Sequence, residues 1–380
     1  MSRARELANL GNNTTGLEAI NAVYDAGGLT GRNLIINGAM QVAQRSSSTA
    51  SITTSAYHTI DRWFTSLVTL GTWTQSQSTD VPSGQGFASS LKMACTTADA
   101  SPAAGDRLLI RQVLEGQDVQ QLKKGTANAK SVTLSFWVKS SKTGTHIVEI
   151  YDQDNARNIA KAYTVSSANT WEKKELTFAG DTTGAFDNDN ASSFVLNMYL
   201  GAGSTYTSGT LATAWESATS ANRAVGQVNL ADSTSNEWYI TGVQLEAGDT
   251  ATEFEHRSYG DELARCQRYL YMLDTTSSAG DENTPVFREG ATAAQLTYYL
   301  PTNLRATPSI VGSNYGRVVG YNTSFSVAAV SVSAMGVRTN INDGQKIDIN
   351  LTHASLAGSY VFGHHDRNAQ SGTLAFDAEL

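Results

Sequence analysis

The chain is poor in charge, proline and cysteine, and these shortages narrow what it can be. Charged residues fill only 16% of the 380 positions, and Ser, Thr, Asn and Gly make up the difference. That balance suits turn-rich β structure with hydroxyl-lined faces better than a helical enzyme. The net charge is -8 and no Lys/Arg run occurs, so the basic footprint required for phosphate-backbone binding is missing and nucleic acid is not an expected partner. The same acidity repels an anionic membrane or lipopolysaccharide core at long range, so any contact there must be local, through aromatic rings and hydroxyls. Cys95 and Cys266 are the two cysteines. Without CxxC or Cys/His spacing they signal neither a disulfide framework nor a zinc site, and they read as buried reduced thiols.

Long apolar runs are also missing, and none follows Arg3 and Arg5, so a soluble chain without membrane insertion or a secretion signal is expected. No GxSxG, HExxH or P-loop arrangement is present. The expectation is a non-enzymatic protein without a cofactor, although paired carboxylates for glycoside cleavage are a tertiary matter that sequence leaves open.

What is present is strand periodicity. In SVTLSFWVK, Val132, Leu134, Phe136 and Val138 alternate with Thr133, Ser135, Trp137 and Lys139. FVLNMYL separates Phe194, Leu196 and Met198 from Val195, Asn197 and Tyr199 in the same way. Such runs, broken by Gly, Asn, Asp and Ser clusters, predict antiparallel sandwiches rather than a βαβ sheet. Residues 1–32 predict one short amphipathic helix, with Thr15 and Glu18 at its start, Leu17, Ile20 and Tyr24 on one face and Gly27-Gly28 at its end. A helix this short needs a surface to dock on, either a neighbouring protein or its own domain. At the other end of the first β region, Val243 and Leu245 close a strand and Gly248-Asp249 turns the chain. Ser258 and Asp261 then offer a capping box for a helix with Leu263, Cys266 and Leu270 on one face. Beyond TTSSAGDENT the strand signals resume to the C-terminus, without heptads or a fixed-period repeat.

Several of these segments carry a resemblance. NLIINGAMQVAQR (33–45) with DRW (61–63), IRQVLEGQDVQQL, SVTLSFWVKSSKTGT, ANTWEKKELTFAGDTTG, and ITGVQLEAG running on to Tyr271 together resemble bacteriophage tail fibre and other virion structural proteins that contain a jelly-roll domain like carbohydrate-binding modules. LRATPSI and the terminal AFDAEL resemble the closing domain of the same proteins. The resemblance implies a mainly β chain in four parts: an N-terminal virion-attachment arm at 1–32, an antiparallel jelly-roll sandwich at 33–258, a linking helix at 259–274 and a smaller C-terminal β-sandwich tip at 275–380. It also implies a homotrimer, located in the virion tail after assembly in the host cytoplasm, whose partners are other phage tail proteins and host cell-surface polysaccharide. A capsid decoration or head-fibre protein is the alternative. A polysaccharide-degrading tailspike would usually be a longer chain with a repeated β-helix. A host-encoded carbohydrate-binding module would leave the arm without a purpose.

Tryptophan is the natural place to look for glycan contacts, because an indole face stacks on a pyranose and costs little entropy to hold still. Trp63 and Trp238 read as core residues. Trp137 stands opposite the apolar face of its strand, where either a ligand or a subunit could meet it. Trp73, Trp171 and Trp215 lie nearer loops, and Tyr206 stands in the Gly/Ser/Thr-rich GAGSTYTSGT. In the C-terminal part, Tyr315, Tyr321, Tyr360, His364 and His365 are expected at loop tips, as receptor contacts or as plain solvated residues. Arg3, Arg5, Leu7, Leu17, Ile20 and Tyr24 are the attachment candidates of the arm. Asp181, Asp187 and Asp189 cluster as a calcium site would, but without EF-hand spacing, so a turn-rich loop competes with a metal-binding one.

Overall fold

The computed structural model describes residues 31–273, 284–288, 292–312, 317–321, 327–337, 346–353, 362–366 and 374–380. The chain divides into two compact units, Met1–Ser258 and Tyr259–Leu380. The arm candidates Arg3, Arg5, Leu7, Leu17, Ile20 and Tyr24, together with Tyr315 and Tyr360, lie outside the described residues.

The strands of the first unit are β1 (Ser48–Ile52), β2 (Ala56–Tyr57), β3 (Phe64–Val68), β4 (Thr72–Ser78), β5 (Ser90–Thr97), β6 (Arg107–Glu115) and β7 (Val132–Ser140). There follow β8 (Gly144–Asp152), β9 (Arg157–Val165), β10 (Glu172–Phe178), β11 (Ser192–Ala202), β12 (Glu216–Ser217) and β13 (Glu237–Ala247). They form a six-stranded sheet, β1-β4-β5-β13-β7-β10, and a seven-stranded sheet, β12-β9-β8-β11-β6-β3-β2, antiparallel throughout. The chain passes repeatedly from one sheet to the other, as a jelly-roll sandwich requires. Alternation explains the core: Val132, Leu134, Phe136 and Val138 of β7 and Phe194, Leu196 and Met198 of β11 meet Trp63, Trp73 and Trp238 in one apolar cluster. Burying each of these large side chains contributes roughly 1.5–3 kcal/mol.

NLIINGAM, DRW and VQLEAG meet in a single knot. Leu34 N–H donates to Leu245 O (2.9 Å), Val243 N–H to Gly38 O (2.9 Å), and the Asn33 amide to Val243 O (3.2 Å). Trp63 Nε1 donates to Asn37 O (3.1 Å), and the Asn37 amide donates to Val42 O (2.8 Å) and Asp61 O (3.0 Å). A Cβ on Gly38 would stand 2.1 Å from Val243 O, so only glycine admits this approach. Ile35 and Ile36 lie outside any strand. Those residues are buried in an irregular stretch whose polar groups are met by side chains, Ile36 exchanging both of its backbone bonds with the Gln112 amide (2.8 Å each). The Asn37-Gly38 turn does form, with Asn37 at φ 57°.

The sheet edges are blunt. β2 and β12 are two residues long, and β10 presents Glu172, Lys173, Lys174 and Glu175. Short or charged edges offer little to a foreign strand.

The first unit also carries a four-residue helix, α1 (Ser204–Thr207), and the second unit opens with helix α2 (Tyr259–Gln267). The expected linking helix thus belongs to the second unit, and Leu270 has left it for a strand, because Tyr269 N–H turns back to Cys266 O (2.9 Å). The strands are β14 (Leu270–Leu273), β15 (Thr284–Arg288), β16 (Ala293–Tyr299), β17 (Ser309–Gly312), β18 (Arg317–Tyr321), β19 (Val327–Val337), β20 (Lys346–His353), β21 (Phe362–Asp366) and β22 (Leu374–Asp377). The smaller β-sandwich takes the form of a closed barrel, β15-β16-β20-β19-β18-β21, with a three-stranded sheet, β14-β22-β17. LRATPSI and AFDAEL are neighbours in that sheet: Ile310 pairs with Phe376, and Arg305 Nε donates to Ala378 O (2.9 Å). Among the described residues no helix is long and apolar enough to cross a membrane. Cys95 and Cys266 are both buried.

Candidate functional site

Two hollows lie on the outward faces of the first unit's sheets. The larger, about 280 Å³, is on the six-stranded sheet and is lined by Ser135, Trp137, Lys173 and Gly242 with Phe87, Phe254 and His256. It exists because β13 bulges between Thr241 and Gln244, where Gly242 takes φ 62°. A Cβ at that position would come within 2.5 Å of the Phe87 ring. Phe87, Phe254 and His256 then pack on one another with centroids 4.9–5.4 Å apart. Trp137 is partly exposed in this groove, and its cross-strand partner Lys173 pairs with Glu175 at 2.8 Å. Farther along the same face, Asp80 accepts from Trp171 Nε1 (3.0 Å) and pairs with Lys139, while Lys92 pairs with Glu237 (2.7 Å).

The second hollow is a cleft of about 170 Å³ on the seven-stranded sheet, lined by Ser66, Arg107, Leu109, Arg111, Tyr151, Gln153, Val195, Asn197, Tyr199 and Arg223. β6 supplies Arg107, Leu109 and Arg111 from alternate positions, so all three point the same way. Register places Phe64, Arg111, Asn197 and Glu149 side by side across β3, β6, β11 and β8. Glu149 is fully buried and saturated with donors. It accepts from Arg223 Nε (2.7 Å) and a second Arg223 nitrogen (2.8 Å), Asn158 (3.0 Å), Asn197 (2.9 Å) and Tyr199 OH (3.3 Å). This bidentate pair holds the Arg223 guanidinium above its ordinary pKa despite burial, and burial with the Glu149 charge holds the Tyr199 phenol well above its own.

The other two arginines of the cleft are met by rings. Arg107 lies over Tyr206 (5.1 Å) and donates to its hydroxyl. Arg111 lies 4.4 Å from the Phe64 centroid, and its Nε is buried without a hydrogen-bond partner. Burial lowers the Arg111 pKa, and the charges of Arg107 and Arg223 act in the same direction. Among the described residues no carboxylate pairs with either Arg107 or Arg111.

The sequence candidates distribute unevenly over these features. Trp137 lines the groove and Trp171 stands on the same face. Trp73 is in the core, because β4 turns it inward, with Nε1 bonded to Leu70 O (2.8 Å). Tyr206 is buried in α1, serving Arg107. Trp215 is half-buried and latched to Ala179 O (2.6 Å). Tyr321, His364 and His365 fall within β18 and β21 of the barrel rather than at loop tips. The Asp181 carboxylate is neutralised by Arg157 (2.7 Å) and Lys124 (3.2 Å), which leaves it no role as a calcium ligand, while Asp187 and Asp189 are exposed in the loop before β11. Among the described residues no group of three or more His, Cys, Asp or Glu is placed to hold a metal ion.

No protein-family model matches the chain, and no curated protein sequence matches it. Solved structures that resemble it include the enzymatically active domain of tailspike protein 4 of Bacteriophage CBA120, with 16% identity and a TM-score of 0.29 over 57% of this chain. The chain spans 21% of the length of that tailspike. A family 11 carbohydrate-binding module of Clostridium thermocellum, solved with a mixed-linked tetrasaccharide, is 11% identical with a TM-score of 0.26, over 54% of this chain and 98% of that one. The tandem family 22 carbohydrate-binding modules of Paenibacillus barcinonensis are 11% identical with a TM-score of 0.28, over 92% and 98% of the two chains. At such TM-scores none of these likenesses carries an argument about function.

Proposed function

We propose that the chain is a non-enzymatic bacteriophage virion protein, a short tail fibre that mounts on the tail by its N-terminal arm and holds host surface glycans in the cleft of the seven-stranded sheet. The observation that carries the glycan reading is the lining of that cleft. Tyr151 offers a ring and a hydroxyl, Asn197 and Gln153 offer amide oxygens, and Arg107 and Arg111 offer N–H donors; Tyr151, Asn197, Arg107 and Arg111 are fixed on strands, with Gln153 in the turn after β8. Binding rather than cleavage is favoured because glycoside hydrolysis uses two carboxyl groups facing the bond. Here none of the residues lining the cleft is acidic, and Glu149 beside it is bound by five donor contacts. The virion role rests on the resemblance of the sequence segments, which also implies the homotrimer. Trimer symmetry would let individually weak glycan sites act together.

The test uses the full-length protein, a glycan array and host cells. Retention on specific glycans and on cells, reduced at least ten-fold by Tyr151→Ala with melting temperature preserved, supports the reading. Undiminished retention by the variant would move the site elsewhere. Release of reducing ends from host polysaccharide by the pure protein would overturn the non-enzymatic part, and detection of the protein on tailless capsids would replace the tail with the head.

A further inference from the structure

The arginines of the cleft say more than that a sugar binds there. A buried or half-buried guanidinium is ordinarily matched by a carboxylate, and the protein does this for Arg223 with Glu149 (2.7 and 2.8 Å) and for Arg157 with Asp181 (2.7 and 3.2 Å). Arg107 and Arg111 stand in the same kind of surroundings without such a match. Their positive charges persist, since a guanidinium does not lose its proton in a protein. They are the more conspicuous in a chain whose net charge is -8. Phe64 and Tyr206 lie against the two guanidinium groups, and beyond the one N–H that Arg107 gives to the Tyr206 hydroxyl, N–H groups are left for a planar or tetrahedral oxyanion.

The lining therefore combines a local excess of cationic donors with the rings and amides that suit a sugar, and about 170 Å³ limits the occupant to roughly one ring. From this we infer that the cleft selects an acidic saccharide, a sugar whose carboxylate or phosphate sits at Arg111 and Arg107 while its ring lies against Tyr151 and Asn197. The inference rests on the glycan reading above and specifies the chemical class of its ligand. It also resolves the conflict between an acidic protein and an acidic surface: long-range repulsion is screened within about 8 Å at physiological salt, and inside that distance the cleft presents the opposite sign.

Titration calorimetry on the full-length protein tests this with four probes: oligogalacturonate, the same oligomer as its methyl ester, glucose 6-phosphate, and inorganic phosphate. The expected result is that oligogalacturonate or glucose 6-phosphate binds at least ten-fold tighter than the methyl ester, and the tighter of the two identifies the source of the oxyanion. Arg111→Gln should reduce acid binding at least ten-fold and ester binding by a much smaller factor. Because Arg111 has no ion pair to lose, this variant should keep the wild-type melting temperature, and Arg111→Lys should restore part of the affinity. Equal binding of acid and ester, both lost in Tyr151→Ala, would overturn the acidic selectivity and leave the glycan reading standing. Binding of no saccharide at all would overturn both. Inorganic phosphate binding as tightly as the sugar acids would reduce the cleft to a bare oxyanion site and overturn the saccharide assignment.

Discussion

On the six-stranded sheet the outward cations Lys92, Lys139 and Lys173 have Glu237, Asp80 and Glu175 beside them, whereas on the seven-stranded sheet Arg107 and Arg111 have aromatic rings. Both faces come from strands of the same alternating pattern and both carry a hollow. The first keeps its charges in balance within the chain; the second holds an excess of one sign. Charge pairing, rather than hollow size or tryptophan content, is what sets the two faces apart. The hollow with Trp137 is the larger of the two and has the more obvious sugar-stacking residue, yet its neighbouring charges are already satisfied.

Several substitutions sharpen that contrast. The largest effect is expected from Glu149→Ala, which strips the one matched arginine of the cleft of its partner. Leaving Arg223 uncompensated should cost about 3–5 kcal/mol in urea unfolding. Next comes His146 on β8, fully buried against Tyr163 (5.3 Å, interplanar 20°) and held by burial at a pKa of about 4. Its folded pKa lies below that of the unfolded chain, so its contribution to stability is complete above pH 6.5 and is lost as pH falls towards 4. About 3 kcal/mol should disappear across that window. His146→Phe should flatten the loss, and an unchanged pH profile would refute it. On the balanced face, Asp80→Asn breaks a pair that is half in solvent and should cost no more than about 1 kcal/mol. Arg111→Gln should be the smallest in stability, within about 0.5 kcal/mol of wild type, although it is the variant that removes acid binding. If Asp80→Asn proved the costlier of these last two in ligand affinity, the assignment of the faces would be reversed.

The sandwich was legible where alternation was clean. β7 and β11 were readable because their inward positions are uniformly apolar. β4 was not, since its inward row is Trp73 and then Gln75, a glutamine that is fully buried because Thr59 and Thr65 satisfy it (2.7 and 2.9 Å). Half of the cleft was also written locally: Arg107, Leu109 and Arg111 stand at every second position of an apolar strand, a pattern that marks one cationic face. The other half was not readable, because what distinguishes Arg223 from Arg111 is a carboxylate 74 residues away in the chain. NLIINGAM, DRW and VQLEAG are tied into one junction by their backbone and side-chain bonds, which explains why these segments stand where they do and says nothing of a ligand.

The margins of the sandwich have a bearing on life at high density. β2 and β12 offer two residues apiece of free backbone, β10 offers mixed charge, and β1 is five residues long with its register broken between Thr49 and Ile52, so a passing strand finds little to zip onto. Copies crowded on a common support should remain individually folded particles instead of fusing into a continuous sheet. Whatever holds neighbouring copies together must then work through side chains, which can be tuned one residue at a time without touching the fold.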